Sequence, residues 1–220
     1  MICYLFFLYN YRIIELYKKN KYAKYAFLGS LRSTAAMISY ELILSSAILI
    51  LIFLTGTLNF SKIIEYQIAI WFIVPLFTVF IFYFISVLAE TSRTPFDLQE
   101  AESELVSGFM TEHSSVIFVF FFLGEYSSIV LFSCITAILF LGGYNFIELI
   151  NNETIFNIQA IILGLKTCIF CFLFILVRAT LPRLRYDQLI KLCWLEILPI
   201  AVALIILVPS ILFSFDILPF

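Results

Sequence analysis

Five stretches of this chain are each long and apolar enough to cross a lipid bilayer: roughly Tyr40 to Leu58, Ile68 to Leu88, Val116 to Leu141, Ile155 to Val177 and Leu192 to Phe213. A bilayer core about 30 Å thick needs about 20 apolar residues per helix, and a continuous helix is favoured because backbone polar groups cannot go unpaired in lipid. The pattern predicts an all-α, polytopic membrane helix bundle with five full spans. Composition agrees: 63% of the 220 residues are hydrophobic and 13% are charged, with mean hydropathy +1.09, outside the water-soluble classes. The first apolar run, Ile2 to Tyr9, is too short alone, and Met1 to Tyr17 would form a shortened N-terminal span with Arg12 and Glu15 reaching toward an interface. Residues 1–220 read as a single membrane domain without repeats, linkers, a soluble unit or a cleavable signal pattern.

Charge is distributed by side. With alternate loops assigned to two faces, eleven of the thirteen basic residues fall on one: Arg12, Lys18, Lys19, Lys21, Lys24, Arg32, Arg93, Arg178, Arg183, Arg185 and Lys191. The other face holds Lys62, and Lys166 lies within a span. Basic loops stay on the side from which insertion occurs, so the basic face belongs in the cytoplasm or the mitochondrial matrix.

An acidic loop, 89–115, lies on that same face. It contains Glu90-Thr-Ser-Arg-Thr-Pro-Phe-Asp-Leu-Gln-Glu-Ala-Glu-Ser-Glu-Leu-Val-Ser-Gly108, then Glu112 and His113, with six of the fifteen acidic residues of the chain. Pro95 pushes Thr94 toward an extended conformation, so the chain turns there. Asp97 followed by Glu100 is a loosened capping box, which predicts a short helix from Leu98 to about Ser107 with Gly108 as its stop. On such a helix Glu100 and Glu104 are one turn apart while Glu102 lies about 200° from Glu100, so the carboxylates face more than one direction. Acids near a helix start also complement its dipole and solvate a loop, which is the plainer explanation.

Carboxylates inside or beside the spans count against that plainer explanation: Glu41 in the first, Glu125 in the third and Asp187 just past the fourth. An ionisable residue at bilayer depth costs about 2.5 to 3.5 kcal/mol on insertion scales and usually faces a bundle interior or a watery cavity. Burial and a neighbouring carboxylate both disfavour the charged form, so a run of such groups can pass protons near neutral pH. The arginines at 93, 178, 183 and 185 would either take part or neutralise the acids as static ion pairs, and Lys166 is expected to pair with an intramembrane acid. Cys3, Cys134, Cys168, Cys171 and Cys193 read as small hydrophobes. His113, the only histidine, cannot build a metal site alone, so no metal is expected, and no phosphate cradle, nucleophile elbow or dinucleotide fingerprint is present.

The loop Glu90 to Gly108 resembles the signature loop of subunit 1 of NADH-quinone oxidoreductase, respiratory complex I, a family with mitochondrial and bacterial members. Lys24-Tyr-Ala-Phe-Leu-Gly-Ser-Leu-Arg32 and Ile38-Ser-Tyr-Glu41 are similar to the entry of that family's fourth span. Phe121-Phe-Leu-Gly-Glu-Tyr126 is similar to its sixth, and Val177-Arg-Ala-Thr-Leu-Pro-Arg-Leu-Arg-Tyr-Asp-Gln188 to the loop after its seventh. The resemblance implies a core membrane subunit that helps form the quinone-binding cavity and an acidic path coupling quinone reduction to proton translocation. It places Arg93, Phe96, Tyr126, Arg178 and Arg183 at or near the cavity, and Glu41, Glu90, Asp97, Glu100, Glu102, Glu125 and Asp187 on a proton or charge relay. No residue is implied to be catalytic alone. Ubiquinone would be the substrate of the whole complex, FMN and iron-sulfur clusters would sit in other subunits, and this chain alone would bind no cofactor.

The implied setting is the mitochondrial inner membrane, with the acidic loop toward the matrix. Implied partners are other complex I subunits, including those of the quinone module, and membrane lipids, with no nucleic acid. Two departures stand out: Ser92 replaces the usual Asn, and the family's first two spans and first matrix loop are absent. The chain is therefore expected to be the C-terminal part of a split subunit 1, with another polypeptide supplying the rest, an arrangement expected in ciliate protists. The alternatives are the membrane subunit of a related ion-pumping hydrogenase-type complex and a stand-alone proton-coupled transporter. The transporter should show repeated halves or broken helices, for which Pro75 alone is too little.

Overall fold

A computed structural model of the chain describes residues 24–91, 93, 95–96, 115–145 and 156–216. The expected N-terminal span at residues 1–17, the short helix at 98–107 and the residues Asp97, Glu100, Glu102 and His113 lie outside the described residues. All regular structure among the described residues is helical: α1 Lys24–Thr55, α2 Phe60–Tyr66, α3 Phe77–Glu90, α4 Ser115–Phe140, α5 Phe156–Thr180, α6 Tyr186–Lys191, a π-helical turn Leu192–Ile197, and α7 Leu198–Ser214. The last three are continuous, and four helical stretches are long and apolar enough to cross a membrane: Thr34–Thr55, Phe122–Phe140, Gln159–Thr180 and Tyr186–Ser214.

The remaining expected span, 68–88, is helical only over Phe77–Glu90. Pro75 contributes: it has no N–H and its ring clashes with a preceding helical carbonyl, which disfavours one continuous helix through it. The chain before Pro75 forms turns whose backbone groups are nonetheless partnered. Val74 N donates to Trp71 O at 3.1 Å, Leu76 N to Phe72 O at 3.0 Å, and Ile73 N reaches across to Phe140 O at 3.2 Å.

Helix ends are set by local chemistry. Asn59 caps α2, its side-chain oxygen accepting from Ser61 N at 3.2 Å. Past α4, Gly142 and Gly143 have φ of 68° and 53°, the left-handed conformation that ends a helix and that glycine adopts without strain.

The bundle is organised around α1, which packs on α3 and α7, while α4 pairs with α5. An aromatic seam joins the two groups: the Phe80 and Tyr83 rings of α3 each lie 5.3 Å from Phe140 at the end of α4, and Phe84 lies 5.3 Å from Phe174 of α5. Tyr40, Ile43, Ile50 and Leu51 of α1 and Val79, Tyr83 and Val87 of α3 are almost wholly buried and form the centre of the core.

Two polar side chains complete the end of α4 near Asn145. Gln67, fully buried, donates from Nε2 to Ile138 O and Leu139 O at 3.1 and 3.0 Å and accepts from Gly142 N at 2.8 Å. The Lys166 ammonium donates to Leu141 O, Gly143 O and Asn145 O at 2.6, 2.8 and 2.8 Å and lies 5.2 Å from the centre of the Trp71 ring. Among the described residues Lys166 thus meets the carbonyl end of a helix, where the dipole is negative, in place of the expected acid.

Candidate functional site

At the opposite end of α4 the structure gathers the charges. Glu90 is the last residue of α3 and only 7% exposed. A carboxylate there meets the negative end of the helix dipole as well as a dry environment, an arrangement no packing requirement explains. It also feels the charge of Glu41 from α1. Glu41 itself is exposed.

Three residues on, Arg93 is 8% exposed. Its backbone N–H reaches Leu88 O at 3.5 Å and its carbonyl accepts from Phe96 N at 2.7 Å, so a tight turn carries the guanidinium inward. There Nη2 lies 3.3 Å from Glu125 Oε2, and the guanidinium carbon is 4.6 Å from the centre of the Tyr126 ring. A planar cation stacked on an aromatic face and paired with a carboxylate suits arginine and would not suit lysine. The ion pair is not a hydrogen bond: among the described residues Arg93 Nε and Nη2 have no hydrogen-bond partner.

Phe96 is buried and its ring packs 5.4 Å from Tyr40. The Tyr40 hydroxyl is also buried and has no hydrogen-bond partner among the described residues. Leu184 N donates to Pro95 O at 3.0 Å, which ties the loop after α5 to this turn and brings that loop to the same end of the bundle. Arg32 adds a further tie, its guanidinium carbon lying 5.9 Å from the Tyr186 ring centre.

Of the residues singled out from sequence, Glu41, Glu90, Arg93, Phe96, Glu125 and Tyr126 are thus brought to one region, with Arg93, Glu125 and Tyr126 in direct contact. Arg178 in the last turn of α5, Arg183 in the α5–α6 connection and Asp187 of α6 are exposed. Asp187 sits in the first turn of α6, where an acid complements the dipole. Sequence reasoning missed Tyr40 and Ser39, which directly precede Glu41. Their signal was a tyrosine and a serine flanking an in-span acid. The four described cysteines are free, and Cys171 Sγ lies 3.2 Å from Ser133 Oγ across α4 and α5.

Fold and site together define a polytopic helical membrane protein with a buried, charge-paired cluster at one end of the bundle. The chain belongs to the NADH dehydrogenase family, whose sequence model matches residues 2–209. It is 62% identical over 200 residues to NADH-ubiquinone oxidoreductase chain 1 of Mycosarcoma maydis, covering 90% of this chain and 60% of that one. It is 54% identical over 231 residues to the protein of the same name in Podospora anserina, covering 90% and 63%. A bacterial relative, an NADH-quinone oxidoreductase subunit of Rhodospirillum centenum, is 47% identical over 198 residues, covering 90% and 58%. The chain thus spans about 60% of the length of these relatives.

Proposed function

We propose that the chain is a core membrane subunit of a proton-pumping NADH:ubiquinone oxidoreductase, where it walls part of the quinone cavity and starts the acidic path that couples quinone reduction to proton movement. The ion pair of buried Arg93 with Glu125, against the Tyr126 ring, carries this reading. Among the described residues Arg93 Nε and Nη2 have no hydrogen-bond acceptor, and they lie in the cluster that holds Phe96 and Tyr126, a combination suited to a polar headgroup on an apolar molecule. Negative charge developing in the cavity would compete with Glu125 for the guanidinium, which would couple quinone reduction to the charges of the carboxylate run. Glu90 and Glu41, whose charges act on one another, would continue the run of carboxylates. Asp97, Glu100, Glu102 and Asp187 extend the relay, and Arg178 and Arg183 the cavity, on the strength of the sequence resemblance.

In this reading the cluster faces the mitochondrial matrix, the spans lie in the inner membrane, and neighbouring complex I subunits complete the cavity and carry the flavin and iron-sulfur centres. The test is Glu125→Gln in the assembled complex. Quinone-linked NADH oxidation should fall while oxidation by an artificial acceptor at the flavin stays intact. Loss of both activities, or of neither, would sink the assignment.

A further inference from the structure

The π-helical turn Leu192–Ile197 interrupts an otherwise regular helical stretch, Tyr186–Ser214. Two features of the sequence produce it. Leu189, Cys193, Ile197 and Ala201 are buried positions of this stretch, each four residues from the next. In a regular α-helix at about 100° per residue, twelve residues would turn the stripe about 120° out of line, and the extra residue of a π turn removes most of that drift. Pro199 has no N–H for the Leu195 carbonyl and its ring would press against that carbonyl, which a widened turn relieves.

The widened turn makes two polar contacts at a single residue of α1. Cys193 Sγ donates to Ser39 O at 3.3 Å, and Trp194 Nε1 donates to Ser39 Oγ at 3.0 Å. Ser39 Oγ donates in turn to Ala35 O at 2.8 Å, so its hydroxyl is oriented as an acceptor for the indole. Ser39 is 3% exposed and Cys193 fully buried, and π turns inside α-helices occur disproportionately at functional sites.

Ser39, Tyr40 and Glu41 are consecutive, and on a helix consecutive side chains point about 100° apart. Ser39 meets the π turn, Tyr40 packs on Phe96, and Glu41 acts on Glu90. Whatever fixes the rotation of α1 at Ser39 therefore fixes the aim of the other two. At a helix radius of about 5 to 6 Å, a turn of about 20° displaces a side chain by about 2 Å, enough to disturb the packing of Tyr40 on Phe96.

We infer that the π turn is a clamp on α1, with Trp194 and Cys193 as positioning residues that hold Tyr40 and Glu41 toward the Phe96 and Glu90 side of the cluster through Ser39. This rests on the function proposed above, and the clamp acts on the geometry of that site without touching substrate.

Trp194→Phe, which removes the indole N–H and keeps an aromatic ring, and Ser39→Ala are compared with Ser39→Thr, which keeps the hydroxyl, all in the assembled complex. Trp194→Phe and Ser39→Ala should lower quinone-linked kcat about 3- to 10-fold. KM for quinone, the amount of assembled complex and activity with a flavin-site acceptor should stay unchanged, and Ser39→Thr should retain turnover within about 2-fold. A purely structural role would lower complex content and flavin-site activity together, and that outcome overturns the inference. Glu41→Gln separates the two claims. If it depresses quinone-linked turnover while Trp194→Phe and Ser39→Ala behave as wild type, the clamp alone falls; if Glu41→Gln is itself without effect, Glu41 leaves the relay. Should Trp194→Phe fail to assemble, the contrast between Ser39→Ala and Ser39→Thr decides.

Discussion

Lys166→Met tests the claim that a single ammonium holds the end of α4. The side chain is 5% exposed and donates to three carbonyls, of Leu141, Gly143 and Asn145, at 2.6 to 2.8 Å. Hydrogen bonds to a charged group are worth about 1.5 to 3 kcal/mol each, and the cost of desolvating the ammonium, several kcal/mol, offsets part of their sum. Methionine keeps most of the volume, so little cavity forms, but three carbonyls at the negative end of a helix lose their donor. Leaving a buried acceptor without its donor costs about 1 to 3 kcal/mol, so three such carbonyls put the loss at about 3 kcal/mol or more. For a domain of this size that corresponds to at least about 6 °C. The assay is the temperature at which the chain is lost from the detergent-solubilised assembly. Lys166→Arg should fall between, because a planar fork cannot aim its donors at three carbonyls that converge on one point. A Lys166→Met assembly with unchanged abundance and thermal profile would refute the reasoning.

Gln67→Leu should destabilise the same end by about 1 to 3 kcal/mol, since it leaves the Gly142 N–H without its 2.8 Å acceptor; thermal loss of the chain from the assembly measures it. Gly143→Ala should cost about 1 to 3 kcal/mol, because φ is 53° and the new Cβ would lie 2.8 Å from Ile64 Cδ1. The accompanying change Ile64→Val removes that contact and should recover part, though not all, of the loss.

The spans were legible in the sequence because lipid leaves few choices for an apolar stretch, Glu125 was legible because charge within a span needs a reason, and Arg93 was legible only through the likeness of its loop to the family's. The pairing of those two was not, since it depends on how far the turn at 93–96 swings inward, which Pro95 and the Leu184 contact decide together. The shortened α3 could have been read from Pro75, which lies eight residues into an apolar run that otherwise looks continuous. The roles of Gln67 and Lys166 were not legible, because the helix end at Gly142 and Gly143 whose open carbonyls and N–H group they satisfy lies 75 and 23 positions away. The π turn was written in the four-residue spacing of Leu189, Cys193, Ile197 and Ala201, a pattern an α-helix follows only with drift. Ser39 as a shared anchor was invisible without tertiary contacts, because Cys193 and Trp194 lie 154 and 155 positions away.

The central claim, that the Arg93, Phe96 and Tyr126 cluster lines a quinone cavity, is tested most directly by labelling the intact, active complex with a photoreactive quinone analogue and mapping the modified peptides. The account predicts label on this chain at 93–96 or 125–126, suppressed by excess quinone. Efficient, quinone-protected labelling of the complex with none at those positions would contradict it.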